Sequence, residues 1–473
     1  MNPQAPSPPG HSMRTFGTVW LGQFISMLGS GLTNFALGAY VYELSGSVTR
    51  FALIYFFSTL PTVLLSPLTG VLADRWDRRK LILLGNVGSG FSIFLIWLLF
   101  AGRDAGYWTL QTGYFYGPIF LGSACSTLSF PAWSATVPLL VPRKHLGRAT
   151  GMTELSSAFS LIAGPLLATA LLGTIGMRGI LLLDAVSYVF AAGTLLVVRL
   201  PTPPRGAGPA GPRSLTADLV EAWRFVRERP GLVGLLVFIS ASAFIVAMVM
   251  LLINPLVLAF TDIHSLKWIA SIAGMGGLTG GIVTSLWGGP RRRILGLALI
   301  STLGGLVLLL AALPPSVPLI AVAAATFLFT FPLIQASQQF IWQTKVPPAL
   351  QGRVAALRRV VFQSMTLLVS LVGGILADRF FEPWMAPGGA LADSVGRVIG
   401  TGQGRGVALM FVMLSLLLLT NVLVLWLSPR LRNVETELPD TLPTPPRGAP
   451  TPSTTTRNED APPPLATPGS AES

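Results

Sequence analysis

The chain is poor in the residues that build disulfides, metal sites and active sites. Its 473 residues include one cysteine, Cys125, and three histidines. A single cysteine excludes a disulfide within the chain and a cysteine metal cluster. His11, His145 and His264 are scattered, so no metal and no cofactor is expected. Glycine-rich runs such as Gly274–Gly281 lack the Gly-Lys-Ser/Thr that closes a phosphate loop, which argues against an ATP-driven machine. Charge is also scarce, at 11% of residues, where soluble domains carry about 25%. A membrane-embedded enzyme would need clustered acids, histidines or a nucleophile beside a base. The apolar runs hold only two dispersed acids, Glu154 and Asp184, so the chain is not read as an enzyme.

What is present is apolar sequence, 51% hydrophobic residues. Crossing a bilayer takes about 20 apolar residues, and twelve such spans can be drawn: 15–42, 50–73, 81–102, 110–140, 149–174, 179–199, 232–260, 267–289, 294–313, 318–343, 358–377 and 406–428. The fold expected is all-α and integral to the membrane, in two six-helix bundles. Residues 1–13 are polar and proline-rich, and the apolar run after them is too long for the core of a cleaved signal, so it is expected to insert as an uncleaved first span. The net charge of +13 could suggest a nucleic acid, but its placement argues otherwise. With both termini cytoplasmic, 25 Lys and Arg fall on the cytoplasmic side and 7 on the outer side. That is the positive-inside bias of a membrane protein, and no nucleic-acid partner is needed.

The organisation follows. Residues 1–13 and 431–473 are expected to be disordered cytoplasmic ends, 14–200 and 232–430 the two bundles, and 201–231 a cytoplasmic linker. In the linker Ser214 can cap a helix with Leu215, Leu219, Ala222 and Val226 at helical spacing, opposite Asp218, Glu221, Arg224 and Arg227. Residues 378–405 form an outer loop. The halves echo one another: Val141-Pro142 to Gly147-Arg148 matches Val346-Pro347 to Gly352-Arg353, Arg78-Arg79-Lys80 matches Arg291-Arg292-Arg293, and Gly164-Pro165 matches Gly373-Gly374. The offsets of 205, 213 and 209 residues suggest a duplicated six-helix unit.

Between the second and third spans, Gly70, Leu72, Ala73, Asp74, Arg75, Arg78 and Arg79 resemble the signature loop of major facilitator superfamily transporters. Asp77 stands where that pattern has glycine, and aspartate is expected to tolerate the left-handed turn. Ala377-Asp378-Arg379 through Gly400-Thr401-Gly402, and the Val-Pro to Gly-Arg loop, resemble the macrolide-efflux and enterobactin-exporter branch. The resemblance implies a monomeric secondary transporter of the bacterial inner membrane. It would export an amphiphilic small molecule (an antibiotic, siderophore or secondary metabolite) by alternating access, coupled to protons. An importer on the same fold and a transport-dead scaffold or receptor are the alternatives.

The resemblance also assigns roles. The signature-loop acid, here Asp74, would bond to the start of the eleventh span and hold the cytoplasmic side shut. That start is read near Arg358 and Arg359, with Gly70 counted in the same gate and Arg75, Arg78 and Arg79 pairing locally. Gly164-Pro165 would kink the fifth span, and the small-residue face Gly274, Gly276, Gly277, Gly280 and Gly281 of the eighth would form a rocking interface with it, or simply pack. Glu154 and Asp184 are candidates for proton coupling, or else interfacial hydrogen bonders. Spans one, four, seven and ten usually line the cavity in this family, and here they carry no charge. Their polar groups Gln23, Asn34, Ser126, Asn254, Gln335, Gln338 and Gln339 would line a cavity for a bulky amphiphile, or bond helix to helix.

Overall fold

The computed structural model describes residues 13–75, 77–141, 145–198, 215–287, 289–290, 292–314 and 316–437; the side chains of 66–75, of scattered positions between 130 and 162, Glu154 among them, and of 215, 216, 348, 349 and 436 fall outside that description. Among the described residues, twelve helices of 20 residues or more carry the fold: α1 (Met13–Ser45), α2 (Val48–Arg75), α3 (Arg78–Asp104), α4 (Gly113–Leu140), α5 (Leu146–Thr174), α6 (Gly176–Val197), α8 (Pro230–Leu258), α9 (Ile263–Trp287), α10 (Arg293–Ala312), α11 (Val317–Lys345), α12 (Pro348–Leu376) and α15 (Arg405–Leu427). A shorter α7 (Leu215–Arg227) joins the halves, α13 (Glu382–Met385) and α14 (Gly396–Ile399) lie between α12 and α15, and α16 (Pro429–Arg432) and α17 (Val434–Glu437) end the described chain. Ten of the long helices are apolar and long enough over their described residues to cross a membrane. Successive helices run back and forth, so the start of α1 and the end of α15 share one face, called here the terminal face; the opposite one is the far face.

The two halves repeat one packing plan. In the first, α1 packs on α5 and α6, α3 on α4 and α6, and α2 on α4. The second repeats these pairings as α8 on α12 and α15, α10 on α11 and α15, and α9 on α11. The repeat also exchanges the seams between bundles, α2 against α12 and α5 against α9. Proline lies inside α5, α8 and α11, at Pro165, Pro255 and Pro332. Each removes a backbone donor and bends its helix.

Several expectations change at helix ends. The eleventh span starts at Pro348, not at Arg358. The polar first turns of α12 read as loop by hydropathy, yet Pro348 occupies the position where a missing N–H costs nothing. Arg358 and Arg359 therefore sit roughly 15 Å along the helix rather than at its positive end. Asp77 is not left-handed: at φ −61° and ψ 119° it is the extended N-cap of α3 and accepts the Arg79 N–H at 2.8 Å. The chain also stays ordered past 430. Glu435 accepts the first N–H of α10, from Arg293 at 2.7 Å, and Leu431 and Val434 are buried. The outer loop begins as a π-helical continuation of α12, Ala377–Phe381. Linker helix α7 is amphipathic as expected from its spacing. Ala222 and Val226 are buried, while Asp218 and Glu221 hold Arg353 of α12 at 3.0 and 2.7 Å.

The apolar core places the functional region. One buried cluster spans both bundles, joining Tyr42, Val48, Phe51 and Ala52 to Met248, Val369, Ala377 and Phe381. It lies toward the far face. Toward the terminal face the described clusters stay within one bundle each, Leu232 with Trp342 in the second half and Phe16 with Leu140 in the first. Among the described residues the bundles are therefore sealed together at the far face only.

Candidate functional site

Beneath that seal lies a cavity of about 570 Å³ between the bundles. The first half contributes α1, α2 and α5, and the second α8 to α11 and α15. Its polar groups are few and uncharged: Ser30 and Asn34 of α1, Tyr55 of α2, Ser160 of α5 and Asn254 of α8. Phe35, Met250, Phe327 and Phe411 supply much of the apolar wall. Such a lining suits a large, mostly apolar ligand oriented by a few hydrogen bonds.

Asn34 and Asn254, both candidates from sequence, face this cavity from opposite bundles. The other amides do not join them. Gln335 and Gln338 line a pocket of about 50 Å³ within the second bundle, with Ser242, Thr330 and Phe362. Gln339 accepts a hydrogen bond from Arg358 at 3.2 Å. Gln23 has a buried amide nitrogen with no partner. Ser126 shares a 2.9 Å hydrogen bond with Ser89 of α3, and its neighbour Thr127 one of 3.0 Å with Thr62 of α2, so these α4 hydroxyls tie the first bundle together. Sequence position alone missed Tyr55 and Ser160, because their helices were not expected to face the cavity.

Asp184 is fully buried against α1. The space it fills exists because residue 29 is glycine: a Cβ there would lie 2.7 Å from the Asp184 carboxylate and 2.8 Å from the Ser187 hydroxyl. Thus α1 has a glycine, not an acid, at this level, and receives a carboxylate there from α6. One Asp184 oxygen, Oδ2, and the nearby buried Thr33 hydroxyl have no hydrogen-bond partner. Ser30 connects this pocket to the cavity, since it lines the cavity and shares a 2.9 Å hydrogen bond with Tyr188. Glu154, the other candidate, lies outside the described side chains, as do Gly70, Asp74 and Arg75.

Of the expected gate, the side chains of Arg78, Arg79, Arg358 and Arg359 are described. Arg79 donates to the carbonyls of Leu195 and Leu196 at 3.0 and 2.7 Å, capping the end of α6. Arg358 stacks over Trp342 at 5.1 Å while bonded to Gln339, and Arg359 lies exposed beside it on α12. Arg78 begins α3. Helices α5 and α9 do pack together, but the glycines serve other neighbours. Gly164 faces Gly31 of α1, while Gly276 and Gly280 press on the backbone of Ala325 and Phe329 in α11. Pro165 lines the central cavity.

Comparison with known proteins agrees with this architecture. The chain is 26% identical over 388 residues to macrolide efflux protein A of Streptococcus pyogenes, covering 80% of this chain and 93% of that protein. It is 28% identical over 433 residues to the enterobactin exporter EntS of Shigella flexneri, covering 85% and 92%. A bacterial homolog of the human lysosomal transporter Spinster, solved in an inward-facing and unoccupied conformation, superposes with a TM-score of 0.63 at 14% identity, over 89% of this chain and 97% of that one. The family model of the Major Facilitator Superfamily matches residues 19–370, and the chain belongs to that superfamily of membrane transporters.

Proposed function

We propose that the protein is a secondary exporter of an amphiphilic small molecule, working by alternating access and coupled to protons. The observation that carries this reading is the uncharged cavity between two pseudo-repeated bundles, roofed on one face by a core that both bundles share. Placing Lys- and Arg-rich loops inside puts the termini in the cytoplasm. The far face is then the outer one, and the cavity is shut toward it. The macrolide and enterobactin exporters among the relatives favour outward movement and a bulky cargo over a small ion.

Proton coupling is assigned to Asp184. A carboxylate in a membrane span is costly unless it is used, and this one is buried against Gly29 of α1, whose chain neighbour Ser30 lines the cavity. In the cycle, cargo enters from the cytoplasm between Asn34 and Asn254, the bundles rock about the α2–α12 and α5–α9 seams, and cargo leaves at the far face. Asp184 gains a proton there and loses it on the return.

The test is uptake of a fluorescent macrolide or dye into inside-out vesicles, with and without a proton gradient. Wild type should accumulate the compound only with the gradient, and Asp184→Asn should lose that dependence. Gradient-driven uptake that survives Asp184→Asn would move the proton site elsewhere, and uptake indifferent to the gradient in wild type would remove proton coupling.

A further inference from the structure

Asp378 is the first acid past α12, on its π-helical extension. Its carboxylate reaches across to the other bundle and takes the start of α2: Ser47 Oγ donates to Oδ2 at 2.6 Å, the Val48 N–H to Oδ1 at 3.0 Å and the Thr49 N–H to Oδ2 at 2.8 Å. The first N–H groups of a helix have no partner within it and carry the positive end of its dipole, so a carboxylate there forms strong, charge-assisted bonds. Immediately below, Gly374 allows α12 to touch the backbone of Thr49. The cap and the close approach together join the two bundles at the far face.

The repeated fold supplies an internal comparison. By the pseudo-repeat, α9 corresponds to α2 and α5 to α12, yet among the described residues no carboxylate of α5 caps the start of α9. There α9 is capped from its own side, by Asp262 accepting the Ser265 N–H at 2.9 Å, and those Ser265 bonds hold the Asp262 carboxyl below the usual carboxylate range. At the position matching Asp378 stands Thr169, which donates back to the Pro165 carbonyl of its own helix at 2.8 Å. So α2 has given its capping acid to the opposite bundle, where α9 has kept its own. Four residues on, Glu382 does the complementary work within the second bundle. It accepts the Gly404 and Val407 N–H groups at 3.2 Å each, at the start of α15, and so fixes the turn that aims Asp378 outward.

We propose that Asp378 is the latch of the far face, a carboxylate of one bundle that caps α2 of the other and whose release opens the central cavity on that side. This deepens the alternating-access reading by naming the contact broken in the outward step. Its test reads accessibility and needs neither substrate nor proton gradient.

In a Cys125→Ala background, Ala270→Cys places one thiol in the cavity wall. Its reaction with a membrane-impermeant maleimide is followed in intact cells and in inside-out vesicles, and Ser394→Cys, in the exposed far-face loop, reports which preparation presents that face. Asp378→Asn should speed labelling of Ala270→Cys from the far face by about tenfold, equivalent to ~1.4 kcal/mol in the open–closed equilibrium. Asp393→Asn, an exposed acid of the same loop, should leave the rate unchanged. Should Asp378→Asn not fold, Ser47→Ala removes one donor to Asp378, together with the acceptor of the Arg50 N–H at 3.3 Å, and should give a smaller increase. Parent-like labelling in a folded Asp378→Asn, or in Ser47→Ala where that is the variant read, overturns the latch and leaves the transport reading intact. Faster labelling in a chain that moves no compound would keep the latch and remove the exporter.

Discussion

Gly374 of α12 lies so near Thr49 of α2 that a methyl group in place of its hydrogen would fall 2.5 Å from the Thr49 Cα and 2.9 Å from the Ala52 Cβ. One of those neighbours is backbone, so no side-chain rotation makes room. The two bundles meet here through the smallest residue available, directly under the Asp378 cap.

Gly374→Ala should therefore wedge the far face open without disturbing either bundle. Overpacking a tight contact costs about 1–3 kcal/mol, so cargo uptake should fall at least several-fold while protein yield stays near wild type. The same labelling assay should show the cavity more reachable from the far face. Normal uptake and normal labelling together would mean that the seam yields more easily than its geometry indicates.

Gly29→Ala tests Asp184 from the other side of its pocket. The added Cβ would crowd the Asp184 carboxylate and the Ser187 hydroxyl, which are side-chain ends able to shift, and would come within 3.2 Å of the Asp184 Cα, which must give by a few tenths of an ångström. Folding should survive, and gradient-driven uptake should drop by about tenfold, since the carboxyl must leave its place beside Ser30. Downhill efflux of preloaded compound should change less. Equal loss of both would make the Gly29 contact a packing requirement, with no special bearing on the proton.

The twelve-helix plan and its duplication were legible in the sequence because bilayer thickness imposes span length, and positive charge marks the retained side. Helix starts were less so. Hydropathy cannot distinguish a polar first turn from a loop, which is why Arg358 was read as the start of a helix that begins at Pro348. The central cavity was half legible. Asn34 and Asn254 stood out as amides in uncharged spans, but Gln335 and Gln338 turn into their own bundle. A helix shows polar groups on several faces, and only packing decides which face meets the partner bundle. The Asp378 cap joins residues about 330 apart in the chain, and no local pattern encodes it.

Arg353 tests the linker. It lies between Asp218 and Glu221 of α7, with roughly a fifth of its side chain exposed at 22%. Partly exposed ion pairs contribute about 1 kcal/mol or less, so Arg353→Gln should lower thermal stability in detergent only slightly. That difference should shrink further in high salt, where such charges are screened. Transport rate is the more telling measurement. If α7 holds the bundles in register as they rock, Arg353→Gln should slow turnover several-fold with apparent substrate affinity unchanged. A stability effect with wild-type turnover would reduce α7 to a tether.

Asn254→Leu asks what the cavity recognises. Asn34 and Asn254 are its amides, on opposite bundles, in a wall otherwise made of hydroxyls and apolar side chains. A hydrogen bond that orients a ligand contributes about 0.5–1.5 kcal/mol net, and a partner left unpaired on burial costs about 1–3 kcal/mol. Replacing the amide by a side chain of similar size should thus raise the apparent KM about tenfold for cargo rich in hydroxyl or carbonyl groups. For a purely apolar dye, which loses no hydrogen bond, affinity should hold or improve. Opposite shifts for the two compounds would identify Asn254 as the residue that selects cargo. Parallel weakening of both would instead point to a change in cavity shape, and the polar selection would then rest with Asn34, Tyr55 or Ser160.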